Sequence, residues 1–204
     1  MNRWKLNKLI FLSFPFSSNI RKPMKLALIG GGNMGGALLK ALVKSNTLAA
    51  SDTLLIEPDS GKRENLVRET GCRAKASIDD EIAGADCLLL AVKPQSATDV
   101  MPTLKPLLTG NPMLISVMAG VSMQSLEEGL GLKKLVRVMP NTPALVGEGM
   151  SVYFASQAVN DEEREWIRKL FSSCGKCMAV EDENAIDSAT AVSGSGPAYL
   201  FYLA

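Results

Sequence analysis

The sequence predicts an α/β fold, a doubly wound parallel sheet with helices on both faces. Three observations lead to this prediction. Short apolar runs alternate with segments of helical periodicity, the first turn is rich in glycine, and the strand-like runs are apolar throughout, as in strands buried on both faces. Alternation of this kind is typical of successive strand–helix–strand units, and no internal repeat competes with that interpretation.

The predicted elements follow one another from Met24 onward. Apolar runs that fit buried strands lie at residues 24–30, 53–57, 86–94, 112–120, 134–140, 149–156 and 177–180. Segments with apolar residues at helical spacing lie at residues 31–45, 61–71, 97–108, 122–130 and 161–171. Gly71 closes the second helix, prolines interrupt the third, and Asn160 caps the last.

The first turn carries the spacing G-x-G-x-x-G between a predicted strand and a predicted helix. The residues are Gly30, Gly31, Gly32, Asn33, Met34 and Gly35. In such a turn the first glycine permits the tight bend, the second lets the backbone approach a pyrophosphate, and the third allows close packing of helix on strand. The free N–H groups of the helix N-terminus favour an anion. The motif predicts a dinucleotide site, and a glycine-rich turn without a ligand is the alternative.

Glu57, at the end of the second predicted strand, bears on the choice of dinucleotide. A carboxylate there can accept hydrogen bonds from the ribose hydroxyls of NAD, whereas it would repel the 2′-phosphate of NADP. Lys62 and Arg63 act in the opposite sense, since either could turn toward a phosphate. The sequence therefore favours NADH and leaves NADPH open, while a solvated Glu57 with no ligand is the remaining alternative.

Three further strand ends point to the same edge of the sheet, where ligands of open α/β sheets bind. The first two carry candidate cofactor contacts, Ala91, Val92, Lys93 and Pro94 after one strand and Ala119 and Gly120 after the next. The third is the loop Met139, Pro140, Asn141 and Thr142, whose polar groups stand between two prolines. Each loop either contacts a ligand or only connects a strand to the next element. Lys93 either binds a ribose or is a solvated lysine with no ligand.

Composition excludes several classes of function. The 22 Lys and Arg residues balance the 21 Asp and Glu residues, so the net charge gives no reason to expect nucleic acid or an anionic membrane as a partner. Histidine is absent, which removes His-based catalytic triads and most catalytic metal sites. We expect no metal. The pair Cys174 and Cys177 has suggestive spacing but no second pair, so the cysteines are interpreted as reduced and structural in a cytoplasmic protein.

The two ends of the chain differ from its middle. Residues 1–23 have a basic start and an apolar run like a signal peptide, but the run contains Pro15, lacks a small-residue cleavage site and is too short to span a bilayer. They are predicted to be a disordered extension or to follow an upstream start, with export as the alternative. At the other end a predicted turn, Gly194 to Pro197, leads into an apolar segment interpreted as the opening of a buried helix.

Four segments together resemble the pyrroline-5-carboxylate reductases. They are "LIGGGNMGGALLKAL", "LLLAVKPQ", "VRVMPNTPALVGEGMS" and "AVSGSGPAYLFYLA", in this order, and the resemblance covers residues 24–204. It implies a dinucleotide-binding domain over residues 24–182 and, over 183–204, the beginning of a helical dimerisation domain that is cut short relative to the family. Homo-oligomerisation is therefore expected of the family and doubtful for this chain.

The resemblance also implies an activity, the NAD(P)H-dependent reduction of the cyclic imino acid 1-pyrroline-5-carboxylate to L-proline, and a set of site residues. The loops at 30–35, 91–94 and 119–120 would contact NADH or NADPH, and the loop at 139–142 would wall the nicotinamide. The substrate pocket would be bordered by Ser193, Gly194, Ser195, Gly196 and Pro197. No catalytic residue is assigned.

The sequence departs from the family in three places. Glu57 stands where many NADP-using relatives have a small or polar residue, and Met118 stands where an alanine is usual. A later loop of the family, which holds the substrate carboxylate, has no counterpart here. Two alternatives follow: a non-catalytic dinucleotide-binding remnant, and a reductase of another imine or ketone.

Overall fold

The computed structural model describes residues 23–195 and Tyr202, and it contains one eight-stranded sheet. The strands are β1 (Leu26–Ile29), β2 (Thr53–Ile56), β3 (Arg73–Lys75), β4 (Cys87–Leu90), β5 (Met113–Ser116), β6 (Leu135–Met139), β7 (Gly149–Ala155) and β8 (Gly175–Ala179). Their order in the sheet is β3-β2-β1-β4-β5-β6-β7-β8. The predicted doubly wound α/β fold is confirmed.

Six α-helices accompany the sheet in the described residues. They are α1 (Asn33–Lys44), α2 (Ser60–Thr70), α3 (Ala97–Leu104), α4 (Met123–Leu130), α5 (Asp161–Ser172) and α6 (Asn184–Ala189). As predicted, Gly71 ends α2 in the left-handed conformation, and Asn160 begins α5 in a capping box with Glu163. None of these helices is long and apolar enough to cross a bilayer.

The strands divide the core into two layers, because successive side chains of a strand point to opposite faces. One face packs α1, α2 and α5 around residues such as Leu28, Leu89 and Phe171. The other packs α3 and α4 around residues such as Leu90, Leu114 and Leu126. Burial of both faces explains why the central strands read as unbroken apolar runs.

The sheet differs from the prediction in one respect, since it is not parallel throughout. All pairs from β3 to β6 are parallel, but β7 runs antiparallel to β6, with Val138 opposite Tyr153, and β8 is parallel to β7. Only residues 140–148 join β6 to β7, and a parallel pair needs a crossover of about a dozen residues or more. The short connection therefore dictates the reversal.

Two local predictions were also incomplete. The short edge strand β3 was not predicted, because Arg73 and Lys75 flank Ala74 and no apolar run marks it. The predicted turn at Gly194 to Pro197 is wrong in its first half, since Thr190–Ser195 form a π-helical turn that continues α6. Gly196, Pro197, most of the apolar segment that follows and residues 1–22 of the predicted extension lie outside the described residues.

Replacing a leucine at the centre of the sheet tests this account of the core. Leu89 in β4 is fully buried, so Leu89→Ala should lower the free energy of unfolding by about 2–5 kcal/mol in urea denaturation. Leu145→Ala is the matched control, because Leu145 is 46% exposed and the same change should stay within about 0.5 kcal/mol. Equal losses in the two variants would contradict the described packing.

Candidate functional site

The glycine turn between β1 and α1 is fitted so tightly that two of its positions leave no room for a side chain. Gly30 has φ +102°, and a Cβ built on it would lie 2.7 Å from the carbonyl oxygen of Ala91. A Cβ on Gly35 would lie 2.0 Å from the carbonyl oxygen of Gly30. Because these two glycines have no Cβ, the start of α1 can lie directly against the ends of β1 and β4.

Gly32 is different, because a Cβ there would meet nothing within 4 Å among the described residues. It is the N-cap residue of α1, and no side chain caps that helix end. The backbone N–H groups of the first turn of α1 are therefore left for another partner, and an anion is the natural one. Asn33 is exposed beside them, whereas Met34 packs against the core.

Glu57 accepts two hydrogen bonds that the sequence could not reveal, and one of them comes from the glycine turn. Its carboxylate accepts one from the backbone N–H of Gly31 at 2.7 Å and one from the N–H of Asp59 at 3.0 Å, and the residue is only 6% exposed. Hydrogen bonds to a carboxylate are among the stronger ones in proteins. The carboxylate thus joins the turn after β1 to the turn after β2.

The two cations beside Glu57 have different roles. The guanidinium of Arg63 donates to the backbone carbonyls of Glu57 at 2.8 Å and Pro58 at 3.1 Å, so it holds the turn after β2 in place. Lys62 is exposed, and its ammonium lies 3.9 Å from Asp59. Lys62 therefore remains the more available cation for a ligand.

A cleft of about 390 Å³ opens at the carboxyl ends of β1, β2 and β4. It brings together part of the predicted cofactor set, namely Gly30, Gly32, Glu57, Ala91, Val92 and Lys93. Lys62, which the sequence offered as a possible phosphate contact, also lines it, as does Ser96, which was not predicted. A wider cleft of about 570 Å³ lies beside Met24, Asn160 and Trp166, near the start of β1. Ligands of open α/β sheets bind at the carboxyl ends, so the first cleft is the candidate site.

The β3 side of this cleft is held by exposed ion pairs. The ammonium of Lys75 lies 2.5 Å from a carboxylate oxygen of Asp79 and 2.7 Å from one of Glu81. The hydrogen bond with Asp79 raises the pKa of Lys75, and the same bond lowers the pKa of Asp79. Exposed pairs of this kind contribute little to stability, but they order the rim formed by Ala76, Ser77 and Ile78.

The remaining predicted residues lie along the same edge of the sheet but outside the cleft. Ala119 and Gly120 are exposed after β5, and Pro94 is exposed at the start of a 3-10 turn after β4. After β6, Met139 is half-buried, Pro140 is buried and Thr142 is exposed. The side chain of Asn141 accepts a hydrogen bond from the backbone N–H of Met150 at 2.8 Å, which braces the β6–β7 connection.

The predicted substrate segment lies next to the loop after β6. A Cβ built on Gly194 would come within 2.9 Å of the terminal methyl of Met139, so the π-helical turn touches that loop. The hydroxyl of Ser193 donates to the carbonyl of Ala189 at 2.9 Å, and Ser195 ends the turn. In the described residues, therefore, the loop predicted to wall the nicotinamide is in contact with the segment predicted to border the substrate.

The cysteines have properties opposite to those of a reactive pair. All four are free, and burial raises the pKa of Cys87 and Cys174 and raises that of Cys177 to about 11. Thiols of this kind stay protonated at neutral pH and are poor nucleophiles and poor metal ligands. The described part of the chain holds no group of three or more side chains that could ligate a metal.

Comparisons with known proteins agree with the resemblance found in the sequence. The family model described as "NADP oxidoreductase coenzyme F420-dependent" matches residues 25–120. A pyrroline-5-carboxylate reductase of Pisum sativum is 36% identical over 176 residues, which are 86% of this chain and 64% of that protein. The chain thus spans less than two thirds of the length of this relative.

Two solved structures share the fold. The pyrroline-5-carboxylate reductase of Coxiella burnetii superposes with a TM-score of 0.82 at 29% identity, covering 89% of this chain and 68% of that one. The pyrroline carboxylate reductase of Plasmodium falciparum, solved with NADP bound, superposes with a TM-score of 0.75 at 35% identity, covering 88% and 66%. The resemblance to the pyrroline-5-carboxylate reductases is confirmed.

A pair of glycine substitutions tests the geometry of the turn. Gly35→Ala should lower the free energy of unfolding by about 1–3 kcal/mol or more, because the new methyl group would collide with the carbonyl of Gly30. Gly32→Ala should cost less, no more than about 1 kcal/mol, since the methyl group would enter open space and the only loss is the preference for glycine over alanine at an N-cap position. Urea denaturation measures both values, and a Gly35→Ala variant as stable as Gly32→Ala would refute the close contact.

Proposed function

We propose that this chain, a relative of the pyrroline-5-carboxylate reductases in sequence and fold, reduces the cyclic imine 1-pyrroline-5-carboxylate to L-proline with NADH or NADPH. The observation that carries the proposal is the glycine turn with its open helix end at the carboxyl edge of the sheet, in a chain 36% identical to such a reductase. The pathway would be proline biosynthesis. Residues 183–204 would begin the helical domain that the resemblance implies.

The residues around the cleft fit a dinucleotide. The uncapped N-terminus of α1 and the open space at Gly32 would receive the pyrophosphate, and Glu57 would receive a ribose. Ala91, Val92 and Lys93 would lie along the opposite side of the cofactor. The cofactor, when bound, supplies the hydride that adds to the carbon of the C=N bond.

Reduction of the imine requires of the protein mainly that it orient the substrate. A cyclic imine protonated by solvent is already an electrophile, so its nitrogen needs no proton from a histidine, and the sequence has none. The protein must instead hold the imine at the nicotinamide and exclude competing arrangements. The loop at 139–142 and the turn at 190–195, which meet at Met139 and Gly194, are the walls we assign to this task.

Glu57 favours NADH over NADPH in this proposal. A carboxylate held by two backbone N–H groups cannot easily turn away, and a phosphate about 4 Å from it would be repelled by about 4 kcal/mol per unit charge at an effective dielectric near 20. The Nη1 group of Arg63 is engaged by backbone carbonyls, although the positive charge of its guanidinium still offsets part of this repulsion. The NADP-bound Plasmodium relative keeps NADPH as the second candidate.

A second candidate is a non-catalytic dinucleotide-binding protein, because the glycine turn and the cleft beside it would serve a bound dinucleotide in either case. It would bind NADH without reducing the imine. For either function we propose a cytoplasmic setting, with which the four free cysteines agree. For the enzyme we also propose a homo-oligomer, as the resemblance to the family implies.

Imine-dependent oxidation of the cofactor is the first test. The purified chain of 204 residues should oxidise NADH in the presence of 1-pyrroline-5-carboxylate, measured as loss of NADH absorbance, and the product should be proline by amino-acid analysis. Binding of NADH without turnover would contradict the proposed reaction and favour the non-catalytic alternative. Absence of binding would contradict both.

Glycine variants make this test specific to the cleft. Gly32→Ala should weaken NADH binding at least about tenfold, because the added methyl group would occupy space that the pyrophosphate needs. Gly84→Ala is the matched control, since Gly84 is also open to solvent but lies outside the 390 Å³ cleft. Equal binding by the two variants would place the cofactor elsewhere.

The role of Glu57 predicts a change in cofactor preference. Glu57→Gln removes the negative charge, so the ratio of the NADPH dissociation constant to the NADH dissociation constant should fall at least about tenfold. Fluorescence titration measures both constants. Glu64→Gln, on the exposed surface of α2, is the control and should leave the ratio unchanged. A ratio that is unaffected by Glu57→Gln would show that Glu57 does not select the cofactor.

A further inference from the structure

Arg137 is a buried charge in the middle of β6 and has no place in the site described so far. It is 4% exposed, and its guanidinium donates to Glu183 at 2.7 Å and to Asp187 at 3.1 Å, both at the start of the last described helical segment. Its Nε has no hydrogen-bond partner among the described residues. Hydrophobic residues of similar volume often replace buried ion pairs without loss of stability, so stability alone is a weak reason for an arginine here.

Glu183 connects this arginine to a third element. The carboxylate oxygen that accepts from Arg137 also accepts from the backbone N–H of Met123, at 2.7 Å, in the first turn of α4. That turn begins three residues after Gly120, in the connection that carries the candidate cofactor contacts Ala119 and Gly120. One carboxylate thus ties α4, β6 and the start of α6 together.

Arg137 and Met139 lie on the same face of β6, because they are two residues apart in a strand. The helical segment therefore meets this face at two points, the ion pairs at Arg137 and the contact between Gly194 and Met139. Between them runs α6, which has six residues and a single buried one, Ile186. A helix this short is not stable by itself, so its position depends on its contacts with β6 and β7, which include the ion pairs at Arg137.

We propose that Arg137 is a positioning residue that, through Glu183 and Asp187, fixes α6 and thereby sets the π-helical turn at Gly194 against the loop at Met139. The inference rests on the proposed function for its catalytic consequence, since these two segments are the walls assigned to the imine. Of the two carboxylates Glu183 carries the larger share, because its side chain is 28% exposed against 64% for Asp187.

Hydrogen exchange of the full chain tests the positioning directly. In Arg137→Met, which keeps an unbranched apolar stem and removes the charged guanidinium, the amides of α6 should exchange at least about tenfold faster than in the unmodified protein, while those of β1 stay unchanged. Arg137→Lys keeps the charge and should restore part of the protection. Unchanged exchange in α6, or faster exchange throughout the sheet, would overturn the proposal.

Kinetics separate positioning from general damage. Arg137→Met should raise the KM for 1-pyrroline-5-carboxylate at least about tenfold and leave the NADH dissociation constant within about twofold, because the cleft assigned to the pyrophosphate and the ribose lies at the ends of β1, β2 and β4. Arg168→Met is the matched control, since Arg168 forms an exposed ion pair with Glu165 on α5 and should change neither value. An imine KM that stays unchanged in Arg137→Met would refute the positioning role.

A second pair of variants divides the effect between the two carboxylates. Glu183→Gln should accelerate exchange in α6 more than Asp187→Asn, and the reverse order would contradict the assignment. If the unmodified chain binds no NADH, the proposed function fails, whereas the exchange measurements still decide whether Arg137 holds α6. The two failures are therefore distinguishable.

Discussion

The contact between Gly35 and the carbonyl of Gly30 determines where everything else at the candidate site can lie. The helix can approach the end of β1 this closely only because Gly35 carries no Cβ, and the approach aims the N-terminus of α1 along the carboxyl edge of the sheet. The cleft beside Glu57 and Ala91 lies next to the point where α1 begins, close to the end of β1. A methyl group at this contact would move the helix end, and with it the N–H groups that an anion requires.

Among the described residues, two buried charged side chains join separate segments of the chain. Glu57 joins the turns after β1 and β2 through backbone N–H groups, and Arg137 joins α6 to β6 through carboxylates. In both cases the charged side chain is satisfied mainly by groups from another segment of the chain. Buried polar groups of this sort specify one arrangement of loops, because any other arrangement leaves a charge without partners.

Much of the fold could be predicted because the central strands are buried on both faces and therefore read as apolar runs. The exceptions have physical reasons. β3 was missed because an edge strand with Arg73 and Lys75 needs little apolar surface, and the direction of β7 was missed although the nine residues between β6 and β7 are too few for a parallel crossover. The length of that connection would have given the direction.

The candidate site could be located from the sequence but not assembled from it. The motif G-x-G-x-x-G and the strand ends identify the edge, since strand direction alone brings those loops together. The hydrogen bond from Gly31 to Glu57, the use of Arg63 on backbone carbonyls and the contact of Gly194 with Met139 depend on side-chain directions that no spacing rule supplies. Arg137 did leave a signal, an arginine within an otherwise apolar buried strand.

The reversal between β6 and β7 has a consequence for the order in which the chain folds. Two parallel strands can pair only after the long connection between them has folded back. β6 and β7 are antiparallel and joined by a short connection, so their pairing costs little loop-closure entropy. The loop that carries Asn141 is thus formed within a local hairpin. We expect this wall of the site to take shape before the distant strands assemble around it.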